Sequence, residues 1–188
     1  MDTIPAAIPY LRSDPDLVEA WRGQLPETGL RVGLAWKGNP RFENDADRSL
    51  PHLSCLAPLA LVPDVRLVSL QKGRGEAEPA EVHPGMDVLD LSPRIHDFAD
   101  LAAIMANLDL VVSVDSAAAH LAGALGKACW ILLPDHLTDW RWLTEREDSP
   151  WYPGAVRLFR QSADQAWAPV IARAAAELEG LVRPGRMA

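Results

Sequence analysis

What most restricts the fold of this chain is a repeated pairing of two patterns. Short runs dense in valine and leucine alternate with segments that have helical spacing. The runs are LRVGLAWKG (strand from Arg31 to Trp36), VRLVSLQ, MDVLDLS, LDLVVSV, CWILLP and VRLFR. They are too short for helices and mostly apolar without alternation, the pattern of strands buried on both faces. Between them, DFADLAAIMANL places Phe98, Leu101, Ile104, Met105 and Leu108 on one side of a helix capped by Asp97. SAAAHLAGAL reads as a helix closed by Gly126. SLPHLSCLAPLALV (49–62) reads as a helix with Leu53, Leu56, Leu59 and Ala60 as apolar positions, weakened by Pro58. ADQAWAPVIARAAAELEGLV (163–182) closes the chain as a helix with Pro169 early in it or at a kink. Strands alternating with helices predict an α/β domain, doubly wound and Rossmann-like, around a mainly parallel sheet.

The 188 residues suffice for one domain of ordinary size, and 48% hydrophobic residues allow a sizeable core. Residues 1–28 read as a lead-in: DPDLVEAWRGQL is a short helix with Asp14 as cap, Pro15 in its first turn, and Leu17, Val18, Trp21 and Leu25 on one face. Residues 29–184 read as the domain proper, with 72–85 a polar loop carrying at most a helical turn. A formal net charge of −8 argues against a general nucleic-acid binder. The two cysteines, Cys55 and Cys129, sit in apolar contexts and read as buried free thiols of a reducing compartment. No run approaches the roughly 18 apolar residues of a membrane span. The N-terminus lacks a basic segment followed by an apolar one, so a cytoplasmic protein without a signal peptide is expected.

In a doubly wound sheet, ligands sit outside the carboxyl ends of the strands. The loops at 36–49, 70–75, 91–98, 114–120 and 134–150 are therefore the ones to read for function. VDSAAAH opens a helix at such a strand end. Its free N–H groups and dipole suit an anion, its three alanines keep the first turn bare, and Ser116 adds a hydroxyl. The alternative is a plain cap by Asp115 or Ser116. His120, one turn in, is either a ligand contact or a packing residue, and no partner for it is visible in the sequence. After the first run, Lys37 and Gly38 are followed by Arg41 and Arg48. The cations suit a diphosphate, or else pair with Glu43, Asp45 or Asp47. SLQKG adds Gln71 and Lys72 at a third strand end, or is a solvated turn. In LTDWRWLTEREDSPWYP, Trp140, Trp142 and Trp151 either stack on a base or sugar or form a satellite core, the latter for at least two of them. No usual metal-ligand spacing, P-loop, GxSxG or GxGxxG is present.

GLAWKGNP…DRSLP, VSLQKG, DFADLAAIMANLDLVVSVDSAAAHLAGALGK, WILLP and DWRWLTEREDSPWYPGAVRLFRQ together resemble the C-terminal region of bacterial tetratricopeptide-repeat glycosyltransferases. These are relatives of the heptosyltransferases, glycosyltransferase family 9, and more loosely of O-linked N-acetylglucosamine transferases. The resemblance covers about residues 30–162. It implies one half of a GT-B fold, the half that binds the nucleotide-sugar donor, with no metal and no other cofactor. It implies that Asp115, Ser116, Ala117, Ala118 and His120 lie at the donor diphosphate with Lys37. Gly38, Arg48, Gln71 and Lys72 assist, and Asp90 to Phe98, with Asp97 and Phe98, borders the base and ribose. Ala128 departs from the proline the family usually has after GK. A tetratricopeptide array and the acceptor half, which supplies the general base in heptosyltransferase-like enzymes, are not recognisable here. The catalytic residue is accordingly unassigned, and the partner implied is a repeat-bearing or acceptor-binding half. Two functions follow: a donor-binding domain that stabilises a departing diphosphate, or a non-catalytic nucleotide-binding or interaction module. Another enzyme of this fold, such as a nucleotide-sugar epimerase, is disfavoured by the resemblance of the tryptophan block.

Overall fold

The apolar runs become six strands: β1 (Leu30–Ala35), β2 (Val65–Ser69), β3 (Val88–Asp90), β4 (Leu110–Val114), β5 (Cys129–Leu133) and β6 (Val156–Arg160). The computed structural model describes residue 4 and residues 6–81, 85–163 and 166–182. Parts of the predicted lead-in (1–3 and 5), polar loop (82–84), last helix (164–165) and domain end (183–184) lie outside the described residues. All neighbouring strands pair in parallel, in the order β3-β2-β1-β4-β5-β6. This is the doubly wound, Rossmann-like α/β arrangement. β4 and β5 are buried at every residue, which is why their sequences do not alternate.

Helices α1 (Pro15–Arg22), α4 (Phe98–Ala106) and α5 (Ala117–Ala124) cover one face of the sheet. Short helix α3 (Ala57–Ala60) and the long α6 (Trp167–Val182) cover the other. The remaining helix, α2 (Asp45–Arg48), is one turn in the loop after β1. The lead-in helix is anchored on α4: Trp21 is buried and its indole N–H donates to Asp100, while the Ser13 hydroxyl donates to the Ala102 carbonyl. Gly33 lies at the centre of the sheet, where an added Cβ would fall 2.5 Å from Leu108 and 2.6 Å from Leu70. Only a glycine there lets those leucines close over β1.

Three local expectations change. The helix expected over 49–62 is a 3-10 turn, Leu53–Leu56, followed by α3. Pro58 lacks the N–H that would continue a single helix, and it sits instead in the first turn of the second piece. Phe98, assigned by periodicity to the buried side of α4, is 62% exposed. As the first residue of the helix it stands at the strand ends, beyond the sheet that buries Leu101, Ile104 and Met105. Cys129 is buried, and burial holds its thiol well above the ordinary range, but Cys55 is only half-buried; both are free.

Candidate functional site

Between β1 and β4 the winding of the sheet reverses, so the loops leaving their carboxyl ends diverge and open a crevice. A cleft of about 1570 Å³ lies there. All twelve sequence-predicted residues line it: Lys37, Gly38 and Arg48 after β1, Gln71 and Lys72 after β2, Asp97 and Phe98 at the start of α4, and Asp115, Ser116, Ala117, Ala118 and His120 after β4. Lys37 and Ser116 thus come from the two strands that flank the reversal.

At the start of α5, Ser116 is the N-cap residue, in extended backbone, but no side chain caps this helix. The Ser116 hydroxyl instead shares a hydrogen bond with Ser113 Oγ at 3.0 Å. The contrast with the other helices is informative. Asp14 accepts from two N–H groups of α1, and Asp97 accepts from Ala99 at 2.8 Å and Asp100 at 3.0 Å in α4. The caps expected of Asp14 and Asp97 are formed, whereas the alternative of a plain side-chain cap is not met at α5, where Ala117 and Ala118 line the cleft. Asp97 reaches the cleft with its carboxylate already committed to the helix.

The cations that line the same cleft are paired. Lys37 is buried and bonds to Glu78, a partner from another loop. Glu78 also accepts from the Trp36 indole and the Leu53 backbone N–H. Burial works to raise the Glu78 carboxyl, but the bonds from Lys37, Leu53 and Trp36 outweigh it and hold it below its ordinary value. Arg48 pairs with Asp45 at 3.3 Å, and Arg74 reaches the same carboxylate at 3.2 Å. Gly38 makes room for them: an added Cβ would lie 2.7 Å from both Arg48 and Asp45. Lys72 donates to Glu76 and to the Ser92 carbonyl. Gln71 is a clamp. Its oxygen accepts from the Trp36 and Lys37 N–H groups, and its amide nitrogen donates to the carbonyls of Lys37, Lys72 and Arg74. Of the charges in these contacts, two arginines share Asp45 while each lysine has its own carboxylate. Within these contacts one arginine is left without a carboxylate of its own, and the positive end of α5 opens on the same cleft.

His120 receives the partners that its sequence does not reveal. Nδ1 lies 2.9 Å from the Tyr152 hydroxyl, the ring stacks on Trp142 with centroids 4.9 Å apart, and Nε2 lies 3.9 Å from Asp115. Gly123, one turn further along α5, admits the Tyr152 ring: a Cβ there would sit 2.5 Å from it. Burial pushes the imidazole below its ordinary pKa. Asp115 and Asp139 work against that shift and Arg141 adds to it. Burial also raises the Tyr152 phenol, so it stays protonated. Trp142 is fully buried and Trp151 packs against the core, whereas Trp140 is 62% exposed and lines the cleft. Glu78 and Tyr152 are site residues that sequence reasoning misses. They lie 41 and 32 residues from Lys37 and His120, beyond any helical or strand periodicity. Among the described residues no three His, Cys, Asp or Glu side chains gather as metal ligands.

An open parallel sheet with helices on both faces and a cleft at its switch point defines a Rossmann-like α/β domain. Residues 63–129 match the model of glycosyltransferase family 9 (heptosyltransferase). Protein FlbA of Caulobacter vibrioides (strain ATCC 19089 / CIP 103742 / CB 15) is 31% identical over 186 residues, covering 94% of this chain. The fold matches E. coli ADP-heptose lps heptosyltransferase II with a TM-score of 0.65 at 16% identity, over 94% of this chain. It matches E. coli heptosyltransferase WaaC with ADP at a TM-score of 0.57 and 18% identity, over 96% of this chain. WaaC with ADP-2-deoxy-2-fluoro heptose matches at 0.59 and 17%, over 94%. The chain spans 30% of FlbA and 54%, 53% and 51% of the three heptosyltransferase chains.

Proposed function

We propose that this chain is the nucleotide-sugar donor-binding domain of a metal-independent GT-B glycosyltransferase, with residues 29–184 as the domain and 1–28 as its lead-in. Transfer then needs an acceptor-binding half, of the kind found with tetratricopeptide repeats, to supply the acceptor and the base. The observation that carries the reading is the uncapped start of α5, opening into the switch-point cleft beside Lys37 and Arg48. The family 9 match over residues 63–129, and solved neighbours that hold ADP or an ADP-heptose analogue, favour a nucleoside diphosphate as the ligand.

The chemistry assigned to this half is leaving-group stabilisation. As the glycosidic bond breaks, charge accumulates on the diphosphate, and N–H groups fixed beforehand at Ala117 and Ala118 stabilise it without reorganising. Gln71 and Glu78 act indirectly, the first by holding the Lys37 backbone and the second by holding its ammonium. The two free thiols suit the proposed cytoplasmic setting. Calorimetric titration with ADP, UDP and GDP tests the reading. One of them is expected to bind stoichiometrically. Absence of binding by all three would favour a non-catalytic interaction module. The isolated chain is expected to bind without transferring sugar.

A further inference from the structure

Trp140 has no role in the anion site described above, yet the fold goes to some length to present it. Its neighbour Trp142 is fully buried, while Trp140 keeps 62% exposure on the cleft. The loop that carries it is bracketed by two leucines in the left-handed region, Leu137 at φ 53° and Leu143 at φ 50°. Non-glycine residues hold that conformation only where their surroundings impose it. Those surroundings are visible. Arg160, at the end of β6, donates to the Pro134 carbonyl, the Thr138 hydroxyl and the Leu143 carbonyl. Asn44 donates to the Leu137 carbonyl from the loop after β1. The indole itself is steadied by the Arg141 guanidinium, 4.6 Å from its centroid, and by Trp151, which meets it at 89° with centroids 4.9 Å apart. Trp140, Asp139 and Thr138 also line a second cavity of about 390 Å³ beside the main cleft.

We propose that Trp140 is the platform on which the glycosyl ring of the nucleotide-sugar donor rests; this rests on the donor-binding reading of the cleft. The assignment follows from the order of the strands. With the diphosphate at the start of α5, the cleft has two arms of unequal length. One arm runs two strand spacings, about 10 Å, from β4 across β1 to the loop after β2, and is walled by Ile95 to Phe98 at the start of α4. The other runs one spacing, about 5 Å, from β4 to β5 and the loop that carries Trp140. In a nucleotide sugar the glycosyl group is bonded directly to the β-phosphate, whereas the base is separated from it by the α-phosphate and the ribose. The short arm therefore takes the sugar and the long arm the nucleoside. The surface chemistry agrees. A sugar ring offers a face of C–H groups to the negative face of an indole. Its hydroxyls need acceptors at the ring edge, and the Thr138 hydroxyl and Asp139 carboxylate flank Trp140 on the cleft; each already accepts from an arginine, Arg160 and Arg141, and keeps further lone pairs.

The test is titration of the 188-residue chain and its Trp140→Ala variant with ADP, UDP and GDP, and with ADP-glucose, UDP-glucose, UDP-N-acetylglucosamine and GDP-mannose. The quantity read is the ratio of nucleotide-sugar affinity to that of the matching nucleoside diphosphate. In Trp140→Ala this ratio is expected to fall about tenfold. Trp140→Phe, which keeps an aromatic face, is expected to restore most of it. An unchanged ratio in Trp140→Ala overturns the proposal, whether both affinities stay constant or both fall together. So does a wild type that binds a diphosphate but none of the nucleotide sugars, since the sugar then has no site. Failure of the wild type to bind any diphosphate removes the donor-site reading itself, and the Trp140 proposal with it.

Discussion

Lys37 shows how a residue of apparent functional type can be committed to structure. Its place at a strand exit suits a diphosphate, or else pairing with Glu43, Asp45 or Asp47, and the carboxylate it meets is that of Glu78, 41 residues away, against which it is buried. Removing its charge leaves a buried carboxylate with hydrogen-bond donors but no cation. Lys37→Met is therefore expected to lower stability by about 3 kcal/mol, and the double variant with Glu78→Gln to recover most of that loss, as read from urea unfolding. A partly exposed lysine would show neither effect. His120 makes a second residue-scale prediction. Burial disfavours its charged form in the folded chain, so below its ordinary pKa of 6.5 the unfolded chain binds a proton more readily. Stability is thus lost as pH falls from that value towards the lower folded one, and is fully present above it. His120→Gln is expected to lose less stability than wild type between pH 7.5 and pH 5 in urea melts. A parallel loss in the two proteins would count against a buried, neutral imidazole.

At the scale of elements, α5 is the informative helix because its start is unlike those of α1 and α4. Ala117 is exposed and is the first residue of the helix. An aspartate there would interact favourably with the dipole and accept from the free N–H groups, adding about 0.3–1 kcal/mol of stability. The same carboxylate would occupy and repel at the anion site. Ala117→Asp is therefore expected to raise the melting temperature while weakening nucleoside diphosphate binding by more than about tenfold. Opposite signs in the two measurements are the diagnostic outcome; unchanged binding would place the diphosphate elsewhere. The same helix shows what local sequence conveys. Its start, its bare first turn and its closure at Gly126 are readable from residue types. Whether Ser116 turns back to cap it is not, because the competing partner, Ser113, sits in the preceding strand.

At the scale of the molecule, stability is distributed by the position of each strand in the sheet. β1, β4 and β5 are covered on both faces, while β3 is a three-residue edge strand with none of its residues fully buried. Hydrogen exchange is expected to be slowest in β1, β4 and β5 and faster in β3, with nucleoside diphosphate slowing exchange at residues 115–118. Uniform protection across the sheet would contradict this gradient. By itself the sequence determined the alternation of strands and helices, the parallel sheet and the loops that line the cleft. Those follow from periodicity and from residues adjacent in the chain, which act over a few positions. Only the tertiary structure decided that Glu78 neutralises Lys37, that Tyr152 meets His120 across Gly123, and that Trp142 is buried while Trp140 faces the cleft. Each of these is a choice among chemically similar residues. It is settled by which loop the strand order brings alongside, and that order arises from packing the whole sheet.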